Sequence, residues 1–260
     1  MMNTGRNERM LKLRDKFLPA ISLDIVIFGF HENHLKILLL ELNGRENWGL
    51  PGGFVMEDEH LNDAAKRVLF ERTGLTDIFL EQFYSFGDPA RNQMNNRAQQ
   101  LDMQLEKDEF APDLKKWLLK RFITVGFYAL VEYTLVDPQQ DYLSLKCDWC
   151  DIDNFPPLIL DHKEIIQKAL QTLRKNILFQ PIGMNLLPKT FTMPELQALY
   201  ETILDRKLDR RNFQKRMLSY NILNRLPQKR TGGAYRAPFL YEFNAEIYEA
   251  ALQNGLKNIW

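Results

Sequence analysis

Ten basic residues crowd into positions 205–236 (Arg206, Lys207, Arg210, Arg211, Lys215, Arg216, Arg225, Lys229, Arg230 and Arg236) against two acids, Asp205 and Asp209. The 260-residue chain as a whole is neutral, with 34 Lys and Arg against 34 Asp and Glu. A surplus of +8 in that window therefore leaves −8 on the rest of the chain. Such segregation predicts an acidic body joined to a module that binds a polyanion. Length agrees, because 260 residues suffice for two domains of ordinary size. A composition of 45% hydrophobic and 26% charged residues excludes a disordered, collagen-like or disulfide-scaffold chain. The longest apolar run, Phe122–Val131, contains Thr124 and Gly126 and is too short to span a bilayer, so no membrane partner is expected. No apolar signal segment precedes Phe17, and the expected address is the cytoplasm.

Residues 1–18 read as an N-terminal arm. Ile21–Phe30 and Leu35–Leu42 are rich in β-branched and large apolar residues and flank the polar His31-Glu32-Asn33-His34, which predicts two paired strands. After Leu50-Pro51-Gly52-Gly53 and a short Phe54-Val55 stretch, apolar residues at 61, 64, 65, 68 and 69 mark an amphipathic helix over His60–Thr73, stopped by Gly74. Ile78–Phe86 and Phe122–Tyr133 return to strand character. Between them, about 90–120 reads as a polar insert with one short helix, Pro112–Leu119. Cys147 and Cys150, the two cysteines, lie in an aromatic strand segment and have no second ligand pair to complete a zinc site. Asp161 is placed to cap a helix from His162 to Asn176. A body of residues 19–178 thus precedes a linker, 179–189, and a C-terminal domain, 190–260.

The C-terminal domain opens with Thr192 and Glu195 at capping-box spacing and Pro194 in the first turn. Helix Pro194–Leu204 turns Leu196, Leu199, Tyr200 and Ile203 to one face. Asp209 caps a second helix, Arg210–Tyr220, with Phe213, Met217 and Leu218 inward. Leu223–Leu226, a polar turn Pro227–Gly233 and Ala234–Phe243 complete a hairpin, and Ala245–Gly255 forms a last helix. Helix, turn, helix, hairpin is the order of a winged helix-turn-helix, whose second helix enters the major groove of DNA. That helix offers Arg210, Arg211, Asn212, Lys215, Arg216 and Ser219 to nucleic acid. Arg bonds guanine bidentately and Asn bonds adenine, while Lys and Ser reach phosphates. Lys229, Arg230, Tyr235 and Arg236 add a basic wing.

In the body, Gly52–Leu75 (GGFVMEDEHLNDAAKRVLFERTGL) resembles the Nudix box. That pattern is a glycine, five residues, a glutamate, seven residues, then Arg-Glu-apolar-any-Glu-Glu-any-Gly-apolar. Gly53, Glu59, Arg67, Leu69, Glu71, Gly74 and Leu75 fall in register, but Val68 and Arg72 stand where the pattern has glutamates. Positions 68, 71 and 72 share one helix face. The resemblance implies that in active members this face holds divalent metals against a diphosphate. Hard cations need several oxygen ligands, and an apolar side chain, one carboxylate and a guanidinium do not supply them. No metal, no cofactor and no hydrolase activity are expected, with the cleft kept as an effector pocket. Arg45, Glu71, Asp88 and Tyr128 are the candidate effector contacts, chosen as polar groups near the expected cleft.

The two halves together resemble the Nudix-related transcriptional regulators over about residues 20–245. Further echoes are Asp24-Ile25-Val26-Ile27-Phe28, Phe86-Gly87-Asp88-Pro89, Leu160–Ile166 and Leu208–Phe213. The resemblance implies an α+β fold, a Nudix-type α/β/α sandwich followed by a winged helix-turn-helix. It also implies a homodimer on a palindromic double-stranded DNA operator, loosened by effector. One branch of the family governs NAD metabolism and senses ADP-ribose or related nucleotides; another governs sugar use and responds to arabinose. Arg67-Val68-Leu69, lacking the box glutamate, resembles the arabinose branch. The expectation is therefore a repressor of L-arabinose or pentose utilisation, with an ADP-ribose sensor of NAD metabolism as the alternative. Two further readings stay open: an active nucleoside-diphosphate-linked hydrolase using Glu59 and Glu71, and an RNA-binding adaptor.

Overall fold

Two long strands, β1 (Phe17–His31) and β2 (His34–Leu42), are neighbours in the main sheet. They turn through Glu32 and Asn33, whose φ values of 50° and 62° are the left-handed pair a two-residue hairpin needs. The structure, a computed structural model, describes residues 15–42, 48–91, 112–118, 120–141, 144–230 and 237–254. Of the expected arm, Phe17 and Leu18 belong to β1 instead, and residues 1–14 lie outside the described residues. Ile25–Phe28 in β1, Ile37–Leu40 in β2 and Phe127–Val131 in β6 (Ile123–Val131) are buried consecutively rather than alternately. Strands buried at every residue are covered on both faces, which is the physical basis of the sandwich.

The main sheet runs β3-β2-β1-β6-β5, with β3 at Trp48–Gly49 and β5 at Phe79–Phe86. Two more strands join it off that path: β4 (Gly52–Met56) pairs with β1 and β7 (Ser144–Asp151) with β2, both antiparallel. Burial pushes the free thiols of β7 up, Cys147 to about 12 and Cys150 to about 11, so neither is a thiolate at neutral pH. Helix α1 (Leu61–Thr73) packs on β4, with His60 Nδ1 accepting from the Asn62 N–H at its start and Gly74 (φ 69°) closing it. The short helix of the insert, α2, is described over Pro112–Leu118, and the long α3 spans His162–Asn176. At the start of α3 the Asp161 backbone carbonyl accepts from the Glu164 and Ile165 N–H groups, while the carboxylate expected to cap it is bonded by Arg91. Residues 92–111 of the insert lie outside the described residues.

The C-terminal elements are β8 (Phe191–Thr192), α4 (Met193–Leu204), α5 (Arg210–Ser219), β9 (Leu223–Lys229), β10 (Phe239–Phe243) and α6 (Ala245–Asn254). The three strands pair in the order β8-β10-β9. Helix α4 packs against α5 and β10, which is the winged helix-turn-helix arrangement. The capping box is complete: the Thr192 hydroxyl accepts from the Glu195 N–H, and Glu195 Oε2 accepts from the Thr192 N–H at 2.7 Å. Strand β9 runs through Pro227, where the sequence predicts a turn. It is the sheet's edge, and its register against β10 is irregular between Phe239 and Tyr241, so the missing N–H is tolerated. Segment 179–189 carries a 3-10 turn, Met184–Leu186, and buries Ile182, Leu186 and Leu187.

The chain divides into two compact units. The first contains the residues up to Phe28, Lys36–Ala129 and Leu135–Ala169; the second contains Gly29–Leu35, Leu130–Thr134 and the residues from Leu170 onward. No helix among the described residues is long and apolar enough to cross a membrane.

At the start of the box, a Cβ added to Gly53 would lie 2.7 Å from Cγ2 of Val68, which is itself buried. Gly53→Ala should therefore destabilise the chain by about 1–3 kcal/mol in denaturant unfolding. Val68→Ala should cost less in the Gly53→Ala background than alone; strictly additive losses would contradict this contact.

Candidate functional site

The α1 face on which a Nudix box holds metal is occupied by a closed set of ion pairs. Arg67 reaches back from the helix to the preceding loop, with Nε and Nη2 donating to the two Glu59 carboxylate oxygens at 2.7 and 2.8 Å. Its Nη2 also donates to the Phe54 carbonyl at 2.9 Å. The Arg67 guanidinium, helped by the Met56 N–H, holds the Glu59 carboxyl below its ordinary range against the opposing effect of burial, and Glu59 raises Arg67 in return. Glu71 is partly exposed and lies between two cations, 3.5 Å from Arg67 Nη1 and 3.4 Å from Arg72 Nη2. Arg72 is only 8% exposed; its Nη1 donates to the Gln140 carbonyl at 3.1 Å, and its Nε–H is buried with no acceptor among the described residues. Among the described residues, no group of three or more His, Cys, Asp or Glu is placed to hold a metal ion. A divalent cation here would meet one carboxylate already bracketed by two guanidiniums, so these residues do not fit the metal of the box pattern.

The four candidate effector contacts fare differently. Glu71 lies on this face. Asp88 is exposed, and its Oδ1 accepts from the Ala90 N–H at 2.8 Å, closing its own turn. Tyr128 is fully buried among Phe28, Phe79 and Phe83, with its hydroxyl donating to Glu81 at 2.9 Å, which places it in the core rather than a cleft. Its position in β6, the strand beside β1, is the reason: that strand is covered on both faces. Arg45 lies outside the described residues.

A second polar cluster escaped the sequence reading. Arg91, 3% exposed, forks onto Asp161 at 2.9 and 2.7 Å and donates to the Phe122 carbonyl at 3.2 Å. Asp24 of β1 lies 3.8 Å from the same guanidinium and 3.8 Å from His162 Nε2. His162 Nδ1 accepts from the Leu50 N–H at 2.9 Å, which puts the proton of a neutral imidazole on Nε2, facing Asp24. A Cβ on Gly52 would sit 2.7 Å from Asp24 Oδ1, so the Leu50–Gly53 lead-in to the box rests directly on this network. The Asp24 and Leu160–Ile166 echoes thus meet at an arginine two residues beyond the Phe86–Pro89 echo.

The winged helix presents its cations on α5. Asp209 Oδ1 accepts from the Asn212 N–H at 2.9 Å and starts the helix. Phe213 and Met217 are buried, Phe213 edge-on to Tyr200, while Arg210, Arg211, Asn212 and Lys215 are exposed and Arg216 is half-buried. Leu218, expected inward, is 40% exposed. Five residues after Phe213 it has turned about 140° from that side chain, outside the stripe that positions 213 and 217 share. Ser219 donates its hydroxyl to the Arg216 carbonyl. Arg206, Lys207, Asn212, Lys215 and Arg216 line an open hollow of about 720 Å³ beside the helix. Arg206 and Lys207 were countable only as part of the basic window. The turn that carries them is braced by Glu201, which accepts from the Leu208 N–H and the Gln197 amide at 2.9 Å and from Lys207 at 3.0 Å. Those donors, the Leu208 N–H foremost, hold its carboxyl down to about 2.

Along the wing, Lys229 and Arg225 lie over the Phe239 ring, at 4.8 and 3.5 Å from its centre. Arg230 bonds the Glu195 carboxylate at 2.5 and 2.6 Å, tying the wing to the capping box. Burial pushes the Glu195 carboxyl up, but the Thr192 N–H and Arg230 outweigh it and the net shift is downward. Tyr235 and Arg236 lie outside the described residues.

Comparison with known proteins agrees with both halves. The profile of the NUDIX domain matches residues 19–171, and that of the NrtR DNA-binding winged helix domain matches 183–243. A protein of Acinetobacter baylyi described as an ADPR responsive transcriptional repressor, NtrR, is 28% identical over 238 residues, 89% of this chain and 84% of that protein. The crystal structure of Shewanella oneidensis NrtR complexed with a 27mer DNA superposes with a TM-score of 0.70 at 26% identity, covering 88% of this chain and 96% of that one. A MutT/nudix family protein from Enterococcus faecalis shares the fold, with a TM-score of 0.62 at 22% identity over 87% of this chain and 88% of that one. These matches overturn the arabinose expectation: the winged helix is of the NrtR type and the matched repressor responds to ADPR. Val68 misled because losing a box glutamate removes a metal ligand whatever molecule the pocket accepts.

The network below the box makes a prediction of its own. Arg91→Met, which leaves Asp161 and Asp24 buried without their cation, should cost about 3–5 kcal/mol of stability in denaturant unfolding. The double change Arg91→Met, Asp161→Asn should cost less than the sum of the two single changes. A loss from Arg91→Met no larger than that of a surface substitution would contradict the buried ion pair.

Proposed function

The chain belongs to the Nudix family and carries an NrtR-type winged helix, and from that premise we propose that it is an ADP-ribose-responsive transcriptional repressor of NAD metabolism. The winged helix binds duplex DNA, and ADP-ribose in the Nudix domain lowers that affinity. The exposed cations of α5 carry the DNA half of this reading: their N-terminal residues, Arg210, Arg211 and Asn212, stand where a recognition helix meets base edges, with Lys215 one turn further on. The relative crystallised with a 27mer DNA supports it. The Acinetobacter repressor supports the effector.

In this reading the Nudix domain senses and does not hydrolyse. Val68 and Arg72 deprive its helix face of two carboxylates, and Glu59 is engaged by Arg67. The repressor works as a homodimer on a palindromic operator, because a two-fold pair of recognition helices reads half-sites about 34 Å apart. Release follows if ADP-ribose favours the dimer geometry that fits DNA less well, and reciprocity then requires DNA to weaken ADP-ribose binding by the same factor.

Binding measured by fluorescence anisotropy on a duplex recovered by in vitro selection tests this. ADP-ribose should weaken duplex binding by about tenfold or more while arabinose leaves it unchanged. Arg211→Ala with Lys215→Ala should lower duplex affinity by about 100-fold yet keep the thermal stabilisation by ADP-ribose. Full duplex binding by that variant, or a preference for single-stranded RNA, would contradict the assignment.

A further inference from the structure

We propose that Arg72 is the fixed cation of the effector pocket and holds the diphosphate of the bound nucleotide in place of a divalent metal. This rests on the ADP-ribose reading above and adds the group that recognises the ligand's charge. The box pattern in register would set four carboxylates, at 59, 68, 71 and 72, against Arg67 alone, a face that repels a diphosphate until metals bridge the two. In this chain the same face has Glu59 and Glu71 balanced by Arg67 and Arg72, with contacts from 2.7 to 3.5 Å. An anionic ligand therefore meets no net negative charge to be bridged.

Arg72 is also built to stay where it is. It is 8% exposed, anchored by the Gln140 carbonyl at 3.1 Å on one side and facing Glu71 at 3.4 Å on the other. A guanidinium presents a planar fork of donors that matches phosphate oxygens and keeps its charge at any physiological pH. Its Nε–H is buried with no acceptor among the described residues, so its contacts with Gln140 and Glu71 run through the two terminal nitrogens. A free lysine would not be pre-oriented in this way.

Isothermal titration of the full chain with ADP-ribose, in excess EDTA and in magnesium, tests the proposal. Wild-type affinity should differ by less than about threefold between the two conditions, and Arg72→Gln should weaken ADP-ribose by at least about tenfold. AMP, which keeps the adenosine but lacks the diphosphate, should lose less than about threefold with the same variant. Ligand-free melting establishes that the variant folds. Should it not fold, Arg72→Lys decides, because it keeps the charge but loses the fork and should bind ADP-ribose several-fold more weakly with no new magnesium requirement. Wild-type binding that requires magnesium, or variants that bind ADP-ribose as tightly as wild type, would overturn the role of Arg72 while leaving the sensor reading intact. A wild-type chain that binds no ADP-ribose in either condition would remove the effector reading, and this inference with it.

Discussion

The fork from Arg67 to Glu59 decides what the first unit can be. One guanidinium closes the loop between β4 and α1 by bonding both oxygens of Glu59 and the carbonyl of Phe54. A bidentate, charge-assisted pair of this kind fixes geometry as well as adding energy. It sets the α1 face in place whether or not that face retains the carboxylates for catalysis. At the other end of β4, His162 bonds the Leu50 N–H and Asp24 abuts Gly52, within the cluster that Arg91 and Asp161 complete. On the proposed reading, the local scaffold of the box persists while two of its carboxylate positions have changed. Its polarity is altered by two positions, Val68 and Arg72.

The second unit uses charge differently. Its cations on α5 are mostly exposed and face solvent, where screening leaves little intramolecular energy but a strong field for a polyanion. The internal ties are few and specific. Glu201 braces the turn between α4 and α5, and Glu195 serves both as the capping-box acid and as the partner of Arg230. Arg230 therefore holds the wing in register instead of standing free at its tip. Positive charge is sorted into residues that shape the module and residues that are left for a partner.

Local patterns in the sequence carried far, and long-range contacts did not. Helix α1 is legible from its apolar period and Gly74, and the Thr192–Glu195 box from its spacing, because these signals lie within a few positions of each other. The box itself is legible because glycine, glutamate and arginine keep fixed spacings. Arg91 was invisible as a partner of Asp161, 70 residues away, since nothing local distinguishes a buried arginine from a solvated one. Tyr128 read as polar, though a tyrosine in a strand covered on both faces puts its ring in the core and only its hydroxyl toward Glu81. Pro227 read as a turn because its missing N–H bars it from a central strand, yet an edge strand accommodates it. The branch of the family was misread for a chemical reason, because absent metal ligands say how a pocket works and not what enters it.

On the proposed reading the nucleotide is bound and returned unchanged. This is tested most directly by following duplex release and nucleotide composition in one sample containing magnesium, the first by anisotropy and the second by chromatography. Added ADP-ribose should free the duplex while all of it is recovered intact. Steady accumulation of AMP and ribose 5-phosphate, dependent on magnesium and on Glu71, would contradict it.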